Sequence, residues 1–467
     1  MKINLASSLI RQYAAVITVN LGVVSTGMSL SWPSPMLVKL RNETETTLSR
    51  PITEEEGSWI VSGGFLLGIL GNLVGGMLLD AVGRKYCFLL LSLPKFLMSM
   101  LFIFATEVWM LIFGRVIMIM TDCFLFMVVP IYASEIASKD HRGSLGTLMQ
   151  IFSTLGIVVT LSVGPFVSYT TFNIVFASVI AASSLPVLLL PDSPFYLYSK
   201  GRTEEALEVL LQYRASEVEA KQELQEYQDS ANNVEKIDKK KLLKTKTFLK
   251  SLALGFLLFG GSQLVGFNAV QFYLQTILVS TKTSVKPEVA SVVIGLIQLF
   301  ASFCTPLILT KCGRRPVLIG SLSGMFLGMV GLGTFFKLTE AEDVEIRGFL
   351  NFLPIISLII VIYCYSAGIG SIVWLVTAEV FDGPSRAFGI SITSISTVVA
   401  IFFTTKYFAL MTSALGPHVT YWLFSAVCVV IGTLIALFVP ETKGKTFSEI
   451  QRDLGGETEE KHDKERA

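Results

Sequence analysis

Amide side chains set inside apolar stretches are the first chemistry this sequence offers. Gln150, Gln263, Asn268, Gln271 and Gln298 each sit in a hydrophobic run, and Trp374 sits in another. An amide donates and accepts at once, and an aromatic face stacks on a ring, so such a set suits a ligand that carries hydroxyls on all sides. In an apolar interior every amide is costly and therefore informative. The plainer use is helix-to-helix hydrogen bonding, worth about 0.6 kcal/mol on average. Gln263 with Asn268 reads as the ligand-binding kind, and Gln271 as the helix-to-helix kind.

Charge supplies the second chemistry, and it comes in duplicate. Gly75 to Lys85 reads GGMLLDAVGRK and Leu307 to Pro316 reads LILTKCGRRP. Glu135 precedes Arg142 by the same step as Glu379 precedes Arg386, and Pro191-Asp-Ser-Pro is answered by Pro440-Glu-Thr-Lys-Gly. Gly83 and Gly313 are 230 residues apart, Glu135 and Glu379 are 244 apart, and Pro191 and Pro440 are 249 apart, each close to half of 467. A chain built from two related halves is a signature of membrane transporters. Ionised groups at helix ends can pair when a pathway is closed on that side and separate when it opens. Asp80, Arg84, Glu135 and Arg142 make up such a latch in the first half, and Arg314, Arg315, Glu379 and Arg386 in the second. Thr310 stands where an acid would precede the second Gly-Arg-Arg, which predicts a looser second latch.

Asp122 lies deep in an apolar run and is either a proton site or one member of a buried pair. Arg115, seven residues earlier, falls on the same helix face, so the spacing predicts an Arg115–Asp122 pair that stays ionised.

These groups need elements to hold them. Apolar residues make up 52% of the chain and charged ones 16%, well below the roughly 25% of a soluble domain. Windows of about 20 apolar residues give twelve spans, starting near Tyr13, Gly57, Tyr86, Val108, Ser144, Thr170, Ser251, Pro287, Pro316, Phe349, Ser385 and His418. The expected fold is an all-α membrane protein of twelve transmembrane helices in two six-helix bundles, 1–191 and 251–444, with a cytosolic helical linker over 192–250 and a cytosolic tail over 445–467. Within the linker, Thr203 to Gln228 reads as helical. Lys and Arg follow the even-numbered spans, which places both termini in the cytoplasm. The first span has no small-residue cleavage site after it and reads as a retained helix.

The net charge of +1 provides no field for nucleic acid. The six cysteines form neither a disulfide framework nor a metal pair, and no nucleophile–base set, phosphate loop or metal motif is present, so the expectation is no enzyme, cofactor, catalytic residue or metal. Asn42-Glu43-Thr44 is a glycosylation sequon in a loop that the topology puts outside.

GGMLLDAVGRK, PIYASEIASKDHRG (130–143), PDSPFYL (191–197), QLVGFNAVQFY (263–273) and PETKG (440–444) together resemble the marker motifs of the sugar porter family of the major facilitator superfamily. They span almost the whole chain, and the SWPSP stretch is similar to the insect facilitated trehalose transporter branch. The resemblance implies alternating access to a small-molecule sugar, trehalose or a hexose, in a multi-pass plasma-membrane protein. It implies sugar ligands at Gln150, Gln263 and Asn268, with Trp374 as the aromatic partner. Ser262-Gln263 replaces two consecutive glutamines, Gln298 takes an asparagine position, and Gly368 to Trp374 lacks the three usual prolines. Proton-coupled relatives carry an acid in the first span, where this chain has Ser25, Thr26 and Ser29. The expectation is therefore uniport, with proton-coupled symport and a transporter-like sugar sensor as the alternatives.

Overall fold

The computed structural model describes residues 5–138, 141–232, 243, 245–340, 348–381, 385–445, 449, 450 and 452, without the side chains of 5–7, 70–75, 142–144, 230–232 and 387. The described residues are helical, with turns and loops between the helices and no strand. Eleven helices among them are long and apolar enough to cross a bilayer, and the 29-residue helix Glu54–Val82 adds the second of the twelve expected spans. The chain divides into two compact units, Met1–Lys236 and Ile237–Ala467.

In the first unit the spans are Leu5–Ser31 continued by Pro33–Arg41, Glu54–Val82, Arg84–Ile103, Val108–Ile136, Arg142–Val163 and Tyr169–Ser184. The second opens with a capping box. The Thr53 hydroxyl accepts from Glu56 N at 3.2 Å, and the Glu56 carboxylate accepts from Thr53 N at 2.9 Å. The first and fifth spans meet backbone to backbone at Gly27 and Gly156. A Cβ added there would lie 1.9 Å from Ser153 O and 2.0 Å from Val24 O respectively, so only glycine permits the approach.

Short helices follow the sixth span at Pro194–Ser199, Thr203–Tyr213 and Glu217–Asn232. The single helix expected from Thr203 to Gln228 is thus two. Ser216 explains the restart, because its hydroxyl accepts from Glu219 N at 3.2 Å and caps the second piece. At the break, buried Arg214 donates to the Ile136 carbonyl at 2.7 Å and grips Glu223 through both Nε and Nη2. Gln12 bridges Tyr213 O and Ser138 N at 2.6 and 2.9 Å. The helices after the sixth span therefore dock on the ends of the first and fourth. Most of the lysine-rich run 236–250 and of the tail after 449 lies outside the described residues.

The second unit holds Lys246–Leu264, Phe267–Phe272 and Leu274–Ser280 as one interrupted span, then Pro287–Lys311, Arg314–Leu338, Leu353–Ala367 with Ile369–Val380, Arg386–Leu415 and Pro417–Phe438. The seventh span breaks at Gly266, whose φ of +84° is a left-handed conformation that favours glycine. The tenth breaks at Gly368 without any proline. There Ser321 Oγ donates to Cys364 O at 2.7 Å and accepts from Ile369 N at 3.0 Å, while Ser371 and Thr305 both donate to Ser366 O. Neighbouring hydroxyls satisfy the freed backbone, which is what a broken membrane helix requires.

Candidate functional site

Both units end their charged motif in the same construction. In the first, Arg84 Nε and Nη2 each lie 2.9 Å from an oxygen of Glu135, in a fork-to-fork pair, and Nη1 is 3.7 Å from Asp80. The Asp192 carboxylate caps the start of the third span, accepting from Arg84 N at 3.1 Å and Lys85 N at 3.3 Å. In the second, Arg314 Nη2 is 3.3 Å from Glu379, and Glu441 caps the ninth span by accepting from Arg314 N at 2.8 Å and Arg315 N at 3.1 Å. Burial raises the Glu441 pKa, but bonds from the Lys443, Arg314, Arg315 and Thr442 backbone outweigh it and leave the carboxyl below its ordinary range. Arg315 turns aside to the Ala436 carbonyl, and Thr442 Oγ1 donates to Glu379 at 2.5 Å.

The structure thus brings together Asp80, Arg84 and Glu135 in one unit, and Arg314 and Glu379 in the other. Arg386 is exposed, and the side chain of Arg142 lies outside the described residues. Asp192 and Glu441 belong to these charge clusters, and sequence reasoning left them out of its candidate residues. Their signal was the repeated proline–acid pair.

Asp122 corrects an expectation. It is buried, but its partner is Lys95 of the third span, 2.5 Å away, and not Arg115. Lys95 Nζ also donates to Thr26 Oγ1 of the first span at 3.0 Å. Arg115 turns the other way, donating to Ser29 O at 2.8 Å and Ile60 O at 3.4 Å and lying over the Trp32 ring. Trp32 is fixed in turn by a 2.8 Å bond to Asn173.

The amides gather in the second unit around the break in the seventh span. Asn268 Nδ2 donates to Gln263 Oε1 at 2.5 Å, Tyr365 OH donates to the same oxygen at 3.3 Å, and Gln263 Nε2 donates to Ser262 Oγ at 3.0 Å. The Tyr365 ring stacks on Phe267 with centroids 3.6 Å apart. Nothing in the linear sequence singled out Tyr365, which joins the cluster from the tenth span just before its break. Gln298 is buried in the eighth span, and its Oε1 has no partner among the described residues. Trp374 is 54% exposed and holds Phe259 edge-on at 4.6 Å. In the first unit, Gln150 is exposed on the fifth span and reaches Thr154 Oγ1 at 3.5 Å. Asn42 is exposed, its Oδ1 accepting from Thr44 N and Thr44 Oγ1 at 3.0 and 2.9 Å in an Asx-turn. Among the described residues no group of His, Cys, Asp and Glu could hold a metal.

Two units of membrane-spanning helices, each with a charge cluster at the end of its motif and the second with two interrupted spans, define a membrane transporter of the major facilitator kind. The family model described as "Sugar (and other) transporter" matches residues 26–454, and the chain belongs to that family. It is 29% identical over 453 residues to the facilitated trehalose transporter of Polypedilum vanderplanki, covering 95% of this chain and 88% of the relative. It is also 29% identical to the one of Culex quinquefasciatus, covering 95% and 86%. The inward open xylose transporter of E. coli matches in fold with a TM-score of 0.78 at 20% identity, over 94% of this chain and 99% of that one. The same bacterial protein, described as a proton:xylose symporter and bound to 6-bromo-6-deoxy-D-glucose, matches with a TM-score of 0.73 at 20% identity, over 95% and 99%.

Proposed function

We propose that this chain is a facilitative carrier of a sugar, trehalose or a hexose, in the plasma membrane, with both termini cytoplasmic and a glycan at Asn42. The observation that carries the uniport reading is the Lys95–Asp122 bond. The buried carboxylate of the first unit is engaged by a cation on the neighbouring span, and the first span offers Thr26 and Ser29 in place of an acid. A carboxylate already tied to a neighbouring span by a cation serves the packing of the bundle and is committed to that partner. The relatives named for facilitated trehalose transport support the substrate class.

In this reading Gln150, Gln263, Asn268, Gln298, Trp374 and Ser262 bind the sugar. The Arg84–Glu135 and Arg314–Glu379 pairs, with Asp80, Arg142, Arg315 and Arg386, form the cytosolic latch of an alternating-access cycle. Uptake of labelled trehalose and labelled glucose into oocytes expressing the chain tests it, with Gln263→Ala/Asn268→Ala as the control. Saturable uptake of one sugar that is lost in the control is expected. A wild-type protein at the cell surface that moves neither sugar overturns the reading.

A further inference from the structure

The amides of the seventh span fall into two states. Gln263 and Asn268 are engaged with each other and with Ser262 and Tyr365. Both lone pairs of Gln263 Oε1 and one of its two N–H groups are taken, so a ligand finds little free capacity there. Further along, Gln275 accepts from Ser291 Oγ of the eighth span, which is the ordinary helix-to-helix bond. Gln271, between them, was read from the sequence as another such bond, and the structure overturns that. Its side chain is buried, 2% exposed, and neither Nε2 nor Oε1 has a hydrogen-bond partner among the described residues.

A buried amide with both ends unmatched destabilises the resting protein by the desolvation of each group, and native structures hold few of them. Such a group is retained where something arrives to satisfy it. Gln271 stands three residues after Asn268 in the helix Phe267–Phe272, so the two lie on one face, with Gln271 about 4.5 Å further along the axis. In the eighth span Gln298 likewise has a buried Oε1 with no partner among the described residues. An amide presents a donor and an acceptor side by side, which matches two adjacent hydroxyls of a sugar ring, one accepting and one donating.

We infer that Gln271 is a sugar-ligating residue, bonding a vicinal hydroxyl pair one turn beyond Asn268. The inference rests on the sugar-carrier reading. It also reverses the usual expectation of where binding strength resides. A hydroxyl that meets Gln263 has to displace an existing bond, whereas one that meets Gln271 relieves an unmatched group, so the second contact gives the larger net gain.

Gln271→Leu separates this role from a structural one by sign. If Gln271 is a ligand, the purified variant without sugar unfolds at the same temperature as wild type or higher, because an unmatched amide has become apolar at similar volume. Its KM for whichever of trehalose and glucose the wild type moves rises at least tenfold, and the thermal shift produced by that sugar shrinks in step. Gln271→Asn, a shorter amide, recovers part of the affinity. A variant that unfolds earlier than wild type and keeps the wild-type KM overturns the inference and leaves the carrier reading intact. A wild type that transports neither sugar and shows no thermal shift with either overturns both.

Discussion

Removing the cation of the buried pair in the first unit is expected to be among the most damaging single changes in the chain. Lys95 and Asp122 are 0% and 2% exposed, 2.5 Å apart, and Asp122 Oδ2 has no other partner among the described residues. Lys95→Met keeps the length and most of the volume of the side chain, so packing changes little, but it leaves a carboxylate alone in an apolar interior. Breaking a buried pair from one side costs about 3–5 kcal/mol. The Thr26 hydroxyl loses its ammonium partner as well, and a hydrogen bond to a charged group is worth about 1.5–3 kcal/mol, part of which is already counted in the pair. Replacing both charges, as in Lys95→Met/Asp122→Leu, removes the uncompensated charge and is expected to return most of the loss. The assay is a double-variant cycle on purified protein, reading the unfolding midpoint in detergent beside sugar uptake at several external pH values. Uniport predicts a large coupling between the two sites and the same pH profile in the double variant as in wild type. A double variant that folds well but loses a wild-type stimulation by acid would refute the structural account and make the pair a proton carrier.

Three further outcomes follow from the same geometry. Arg314 lacks the second acid that Arg84 has in Asp80, so Thr310→Asp places a carboxylate four residues before Arg314, at the exposed end of the eighth span, and is expected to stabilise that unit by about 0.3–0.5 kcal/mol, read as a small rise in the unfolding midpoint. Glu441 is held below its ordinary pKa in the folded state, so its contribution is fully present above the unfolded value near about 4.3 and is lost as pH falls through the lower folded value. Glu441→Gln should therefore lower the midpoint near neutral pH and flatten its fall in acid, and an unchanged acid limb would refute that role for the cap. Oocyte uptake by wild type and by Gln263→Ala/Asn268→Ala, described above, completes the set.

The sequence carried the architecture in signals that do not depend on a partner. Apolar run length marks the spans, and the repeated Gly-Arg motifs mark the duplication. The start near Gly57 and the start observed at Glu54 differ only because the Thr53 capping box adds a turn of acids before the apolar run. What the linear pattern left hidden lay across helices. Periodicity pairs Asp122 with Arg115 because both project from one face of one helix, yet the third span brings Lys95 closer, and a lone lysine in Leu-Ser-Leu-Pro-Lys-Phe reads in one dimension as no more than a tolerated charge. Gln271 and Gln275 show the same limit from the other side. Both are buried amides on one interrupted span, and the Ser291 hydroxyl meets Gln275 while Gln271 has no partner among the described residues.

The duplicated charge set is where sequence and structure inform each other most closely. Asp192 and Glu441 stand in the Pro-acid pairs at the ends of the sixth and twelfth spans, and each accepts from the first two backbone N–H groups of a helix that begins more than a hundred residues earlier. That bond fixes the helix start, and the helix start carries the arginine that reaches Glu135 or Glu379. The acid therefore acts on the ion pair indirectly, by holding the backbone from which the arginine extends. The two sets nonetheless differ in strength. Arg84 grips Glu135 through two nitrogens and has Asp80 nearby, whereas among the described residues Arg314 makes one longer contact with Glu379 and keeps an unpartnered Nε. In the cycle proposed above, such an asymmetry has the second pair separate first, because a single charge-assisted bond is broken more readily than a bidentate one.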